Sequence, residues 1–106
     1  MKIAVSGQGP SPTDPFDSRF GRAPYILVYD TQTEKWLSLD NNENREAQSG
    51  AGIGAATKAA QAGAEVVITG HVGPKAEQAL QAAGIEIVLS EALDPAAAVK
   101  IYLANR

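Results

Sequence analysis

The stretch EVVITG (Glu65–Gly70), followed by GPKAEQALQAAG (Gly73–Gly84) and IEIVLS (Ile85–Ser90), narrows the possible folds more than any other part of the chain. Its first segment is a nearly continuous apolar run, the pattern of a strand covered on both faces. The second opens with Pro74, suited to a first helical position, and closes on Gly84. Ala76, Ala79, Leu80 and Ala83 give it an apolar face at helical spacing. The third segment is a strand again. Strand, crossover helix and strand predict two parallel neighbours in one sheet, joined in the right-handed sense.

The remaining elements extend that sheet. KIAVSG (Lys2–Gly7) reads as a first strand with a glycine exit. YILVYDT (Tyr25–Thr31) and EKWLSLD (Glu34–Asp40) read as two strands joined by a short polar connection, hence a hairpin, with Trp36, Leu37 and Leu39 as its bulk. GAGIGAATKAAQAG (Gly50–Gly63) predicts a glycine-led helix with Ile53, Ala56, Thr57 and Ala60 on one face and Gly63 past its end. Asp94-Pro95 opens a last helix as an N-cap followed by proline. Gly7–Pro24 and Asn41–Gly50 are expected loops, and a loop as long as the first is often functional. The expected order is β, β, β, α, β, α, β, α. It makes residues 1–106 one α/β domain with a single mixed five-stranded sheet and flanking helices.

Composition excludes whole classes of function. The chain has no cysteine, so disulfides, thiolate zinc sites and thiolate-held iron–sulfur clusters are ruled out. Any metal has to bind through His71, carboxylates or backbone, or arrive inside a preformed cofactor. A net charge of −3 gives no general attraction to nucleic acid. No apolar run approaches the roughly 18 residues of a membrane span. The start MKIAVSG is a strand pattern without a signal-peptide apolar region, so a cytoplasmic, monomeric protein is expected. Alanine supplies much of the 44% hydrophobic content, which implies a thin core that a ligand or partner would stabilise.

Three segments carry the candidate chemistry. GAGIGA (Gly50–Ala55) fits a degenerate dinucleotide pattern, but a polar loop precedes it where that motif needs a strand. No acidic residue closes the next strand to hold a ribose. Two readings stay open. One is close backbone packing at a helix start. The other is an anion cradle, with amide N–H groups of Gly50, Ala51, Gly52 and Gly54 exposed at a positive helix terminus. DPFDSRFGRAP (Asp14–Pro24) places Arg19 and Arg22 around Phe20-Gly21. The loop is either pinned by a buried Phe20 with solvated arginines, or the arginines are fork donors to an anion.

The third segment, VVITGHVGPKA, holds the only histidine. A lone histidine is often structural. This one follows a central parallel strand at its C-terminal end, where ligands bind in open α/β sheets. Gly70 before it and Gly73 after it leave room, and a neutral imidazole is a common metal ligand. No serine-nucleophile elbow is present, and the first strand carries no carboxylate for a metal-dependent nuclease. Asp14, Asp17, Asp30 and Asp40 suit turns and caps.

Taken in order, DSRFGRAPYILVYD, SGAGIGAA and VVITGHVGPKA resemble the dinitrogenase iron–molybdenum cofactor biosynthesis family. The NifX, NafY and C-terminal NifB domains belong to it, as do small stand-alone members such as the orange protein of sulfate reducers. The resemblance covers nearly the whole chain and implies an RNase H-like fold. It also implies binding or carriage of a metal–sulfur cofactor, of Fe–Mo–S or Mo–Cu–S type, for biosynthesis or delivery to a client or scaffold protein. By the same resemblance, His71 is the metal ligand, while Arg19, Arg22, Gly50, Ala51, Gly52, Gly54 and Gly70 surround the cofactor. No catalytic residue is expected. A metal-free regulatory or interaction module is the alternative, and an RNase H-like nuclease follows from fold alone, a weak warrant.

Overall fold

The computed structural model describes residues 1–47 and 50–106. Its elements are β1 (Lys2–Gly7), β2 (Tyr25–Asp30), β3 (Lys35–Asp40), α1 (Asn42–Arg45), α2 (Ala51–Gln61), β4 (Val66–Thr69), α3 (Pro74–Ala82), β5 (Glu86–Leu89) and α4 (Pro95–Ala104). The five strands form one sheet in the order β3-β2-β1-β4-β5. β2 pairs antiparallel with β3, from Tyr25↔Asp40 to Asp30↔Lys35, and antiparallel with β1. β4 is parallel to β1 and to β5. This is the expected mixed α/β sheet with flanking helices, and it is compatible with the RNase H-like label.

Strand alternation divides the core in two, because successive side chains point to opposite faces. Ile3, Val5, Val66 and Ile68 face Ala98 and Val99 of α4. Ala4, Ile26, Val28 and Val67 face the opposite layer, where Ala55, Ala56 and Ala59 of α2 pack beside Ala76 and Leu80 of α3. Central β4 is buried along its whole length, as its unbroken apolar run requires. The small alanines let α2 lie close to the sheet. No helix among the described residues is long and apolar enough to cross a membrane.

Three details depart from the sequence-based expectation. A one-turn helix, α1, occupies part of the expected loop Asn41–Gly50; Gln48 and Ser49 of that loop lie outside the described residues. Polar capping forms it. Asp40 Oδ1 accepts the Asn42 amide at 2.8 Å and its side-chain nitrogen at 2.9 Å, and these bonds hold the Asp40 carboxyl below its ordinary pKa. Such a turn has no apolar period to reveal it. Secondly, the buried stripe of α2 is Ala51, Ala55, Ala56 and Ala59, so Ile53, Thr57 and Ala60 face outward. Finally, Leu37 stands exposed on edge strand β3, although it pairs with Val28 and so shares the face of the α2/α3 core. At the start of α4, Asp94 accepts the Ala97 amide at 2.8 Å and Pro95 follows, as expected.

Candidate functional site

The site is built at the C-terminal ends of the parallel strands. Ser6 on β1 and Thr69 on β4 are fully buried, and their hydroxyls lie 2.7 Å apart. Ser6 Oγ donates to the carbonyl of Asp17, and the amide of Gly70 donates to the carbonyl of Ser18 at 3.1 Å. The long loop is thereby clamped across the sheet end. Arg19 forms a parallel bridge with His71, and the Phe20 amide donates to the His71 carbonyl at 3.3 Å. Phe20, 1% exposed, anchors the loop in the core. Backbone pairing on one side and a buried ring on the other fix the main chain of His71, while its side chain remains exposed at the rim.

Two close backbone approaches bring the loop and both helices together. A Cβ on Gly21 would lie 2.6 Å from the Gly52 nitrogen, so only glycine lets the loop touch the first turn of α2. A Cβ on Gly52 would lie 2.6 Å from the Ala76 Cβ, so the first turns of α2 and α3 nearly touch. A cleft of ≈ 530 Å³ opens at this junction. Arg19, Arg22, Gly50, Ala51, Gly52 and His71 are among the residues that line it. Gly54 and Gly70, also expected at the site, are absent from its wall: Gly54 packs against the Asn44 side chain and Gly70 against Ser18.

Both helices reach the cleft without a side-chain cap. α2 starts from Gly50 at φ 79°, a left-handed conformation suited to glycine, and α3 starts from Gly73. Neither cap residue has a side chain to satisfy the first amides, which retain their partial positive charge. α2 begins at Ala51 and α3 at Pro74.

Both arginines hold protein partners. Arg19 Nε donates to Asp17 Oδ1 at 3.1 Å and its Nη2 to Oδ2 at 3.0 Å. That bond and the carboxylate charge raise the guanidinium pKa further above its ordinary value. Asp17 is 2% exposed and also accepts the Arg19 amide, so its negative charge sits just behind the cleft wall. Arg22 Nη1 donates to the carbonyls of Arg45 at 2.7 Å and Ala47 at 2.6 Å, tying the loop to the end of α1. The remaining loop carboxylates serve turns: Asp14 accepts the Ser11 amide and Asp30 the Gln32 amide.

Residues 1–105 match the family described as "Dinitrogenase iron-molybdenum cofactor". The chain belongs to this family. It superposes on the apo form of the orange protein from Desulfovibrio gigas with a TM-score of 0.93 and 44% identity, over 98% of this chain and 88% of that one. A putative NifB protein from Thermotoga, solved by NMR, gives a TM-score of 0.87 and 25% identity, over 99% of this chain and 89% of that one. No curated protein matches.

Among the described residues, no three His, Cys, Asp or Glu side chains are grouped to hold a metal ion. The cleft offers instead one imidazole, uncapped amides and cationic side chains. Those donors fit an anion that brings its own sulfide ligands and leaves a metal coordination position to a nitrogen.

The cleft residues outside the expected set include Gly21, Ile53 and Lys75. Gly21 sits inside the quoted RFGRAP segment, but its contact with Gly52 is set by tertiary approach. Ile53 breaks the alanine pattern of its helix, a signal of a different neighbour. Lys75 follows Pro74 in the first turn of α3, where the helix dipole disfavours a cation. That conflict is legible in the sequence.

Proposed function

We propose that the protein binds and carries a preformed anionic metal–sulfur cofactor, of iron–molybdenum or molybdenum–copper sulfide type, in the cleft between α2 and α3. It does so without catalysing a reaction, and passes the cofactor to a nitrogenase-related client or scaffold. Family membership supports cofactor binding or carriage in general. The observation that carries the finer reading is the donor set: a single exposed imidazole beside two uncapped helix starts, in a chain without cysteine. When bound, the cofactor supplies the metal and the sulfides; the protein supplies position and charge. The His71 imidazole offers one nitrogen lone pair to a metal. Amides at the α2 and α3 starts donate to sulfides, and the cations balance the anion. So few bonds permit release as well as capture.

His71→Ala tests the reading. The side chain is exposed, so folding stability should change by no more than about 0.5 kcal/mol. Affinity should fall at least about tenfold, because no cysteine or second histidine can replace the lost metal–nitrogen bond. The measurement is anaerobic titration of both proteins with a preformed molybdenum–copper sulfide cluster, followed by visible absorbance. Equal affinities would remove His71 from the site. Absence of binding by the wild-type protein would overturn the carrier function.

A further inference from the structure

The chain has 9 Lys and Arg residues against 12 Asp and Glu, yet the cleft inverts that balance. Arg19, Arg22 and Lys75 line it, and no Asp or Glu does among the described residues. The three cations differ in what they can give a ligand. Arg19 is paired through two bonds with Asp17, so together they contribute little net charge. Arg22 keeps its charge but is drawn toward the Arg45 and Ala47 carbonyls. Lys75 is exposed and makes no ion pair among the described residues.

Lys75 also stands where the fold gains nothing from it. It is the second residue of α3, directly after Pro74, and the helix start already carries partial positive charge. The start of α2 lies alongside, as the Gly52–Ala76 approach shows. An ammonium there is repelled by both helix ends, an electrostatic cost that an anion in the cleft would reverse. We infer that Lys75 is the specificity-determining residue of the cleft, selecting anionic metal–sulfur ligands of higher charge over those of lower charge. This rests on the carrier reading, and it assigns to Lys75 a role distinct from that of His71. The imidazole recognises a metal, whereas the ammonium recognises the total charge.

Two tetrahedral probes of similar size separate the roles: tetrathiomolybdate, a dianion, and tetrathiorhenate, a monoanion. Each is titrated anaerobically into wild-type, Lys75→Gln, Lys75→Arg and His71→Ala proteins. Wild type should prefer the dianion. Lys75→Gln should lose about fivefold in affinity for the dianion and less for the monoanion, since Coulomb attraction scales with ligand charge. The loss should shrink in high salt, because screening acts on the same interaction. Lys75→Arg keeps the charge and should restore the preference. Neither probe has an open metal position, so His71→Ala should leave both affinities and their ratio unchanged while weakening the molybdenum–copper sulfide cluster.

Unliganded Lys75→Gln should melt about 2–5 °C higher, because an unfavourable cation leaves a helix start. A structural lysine would give neither this rise nor a changed ratio. If wild type binds both probes and Lys75→Gln leaves their ratio unaltered, the role of Lys75 is overturned while the carrier reading stands. If His71→Ala binds the molybdenum–copper sulfide cluster as wild type does while the Lys75→Gln ratio changes, the metal-ligand assignment falls and the charge role stands. If wild type binds the molybdenum–copper sulfide cluster but neither probe, the role of Lys75 is overturned and the carrier reading stands; if it binds none of the three, both fall.

Discussion

The helices on the two faces of the sheet begin in opposite ways. On one face α4 starts at Asp94, whose carboxylate accepts the Ala97 amide, with buried Pro95 completing the turn. Across the sheet α2 and α3 start on Gly50 and Gly73, which have no side chain to cap them. The same chain therefore closes one helix end and leaves two open. A capped end lowers the free energy of the folded protein, typically by about 1 kcal/mol. An open end forgoes that stabilisation and keeps amides available for an anion. Both faces hold the fold, the larger buried core lying on the α2/α3 side, but only that side leaves its helix starts open for the proposed cofactor.

The largest expected effect breaks the open face at its contact point. Gly52→Val puts a branched side chain where even a Cβ would lie 2.6 Å from Ala76. Overpacking should cost about 1–3 kcal/mol, seen in urea denaturation, and push the two helix starts apart. Anion affinity per folded molecule should fall with it. Gly54→Ala is the control, since Gly54 packs against Asn44 and outside the cleft wall. It should lower stability with affinity unchanged. If both variants bind alike, the proximity of the helix starts is irrelevant to the ligand.

Gly52 also shows how far the sequence could be read. The GAGIGA segment permits either close packing or an anion cradle, and in the structure close packing of Gly52 does not keep it out of the cleft. It packs on Ala76 and lines the cleft. Spacing identifies a glycine that needs room; only the fold identifies the neighbour that takes it. The pairings of β2 with β3 and of β4 with β5 were legible, because the hairpin and the β–α–β unit each fix a local pairing; the central place of β1 was not, because its partners are set by distant segments. α1 was not, since it is built from Asp40 and asparagine hydrogen bonds without an apolar stripe. Arg22 likewise finds its carbonyls more than twenty residues away, beyond any local pattern. The Arg19–Asp17 pair was closer to hand: two residues apart, it forms a local turn in which Asp17 accepts the Arg19 amide.

An intermediate effect tests the closed face. Asp94→Ala removes the cap from α4 and should cost about 1 kcal/mol by chemical denaturation. The α4 core is separated by the sheet from α2 and α3, so anion affinity per folded molecule should stay at the wild-type value. A matching loss of affinity would mean that the two faces are coupled through the strands.

The smallest expected effect converts an open end into a closed one. Gly73 has φ −71° and ψ 165°, extended values that any residue adopts, and a Cβ there would meet nothing within 4 Å. Gly73→Ser therefore fits without strain and places a hydroxyl where it can accept an α3 amide. Stability should rise by roughly 0.4–1 kcal/mol, partly from the cap and partly from the lower entropy of the unfolded chain. Anion affinity should fall by a small factor, because the hydroxyl competes with the ligand for the same amide. Thermal melting and tetrathiomolybdate titration of one protein preparation measure both. Opposite signs are the signature of an end left open for a ligand. A variant that gains stability and keeps full affinity would show that the amides of α3 take no part in binding, leaving α2, His71 and the side-chain cations to hold the anion.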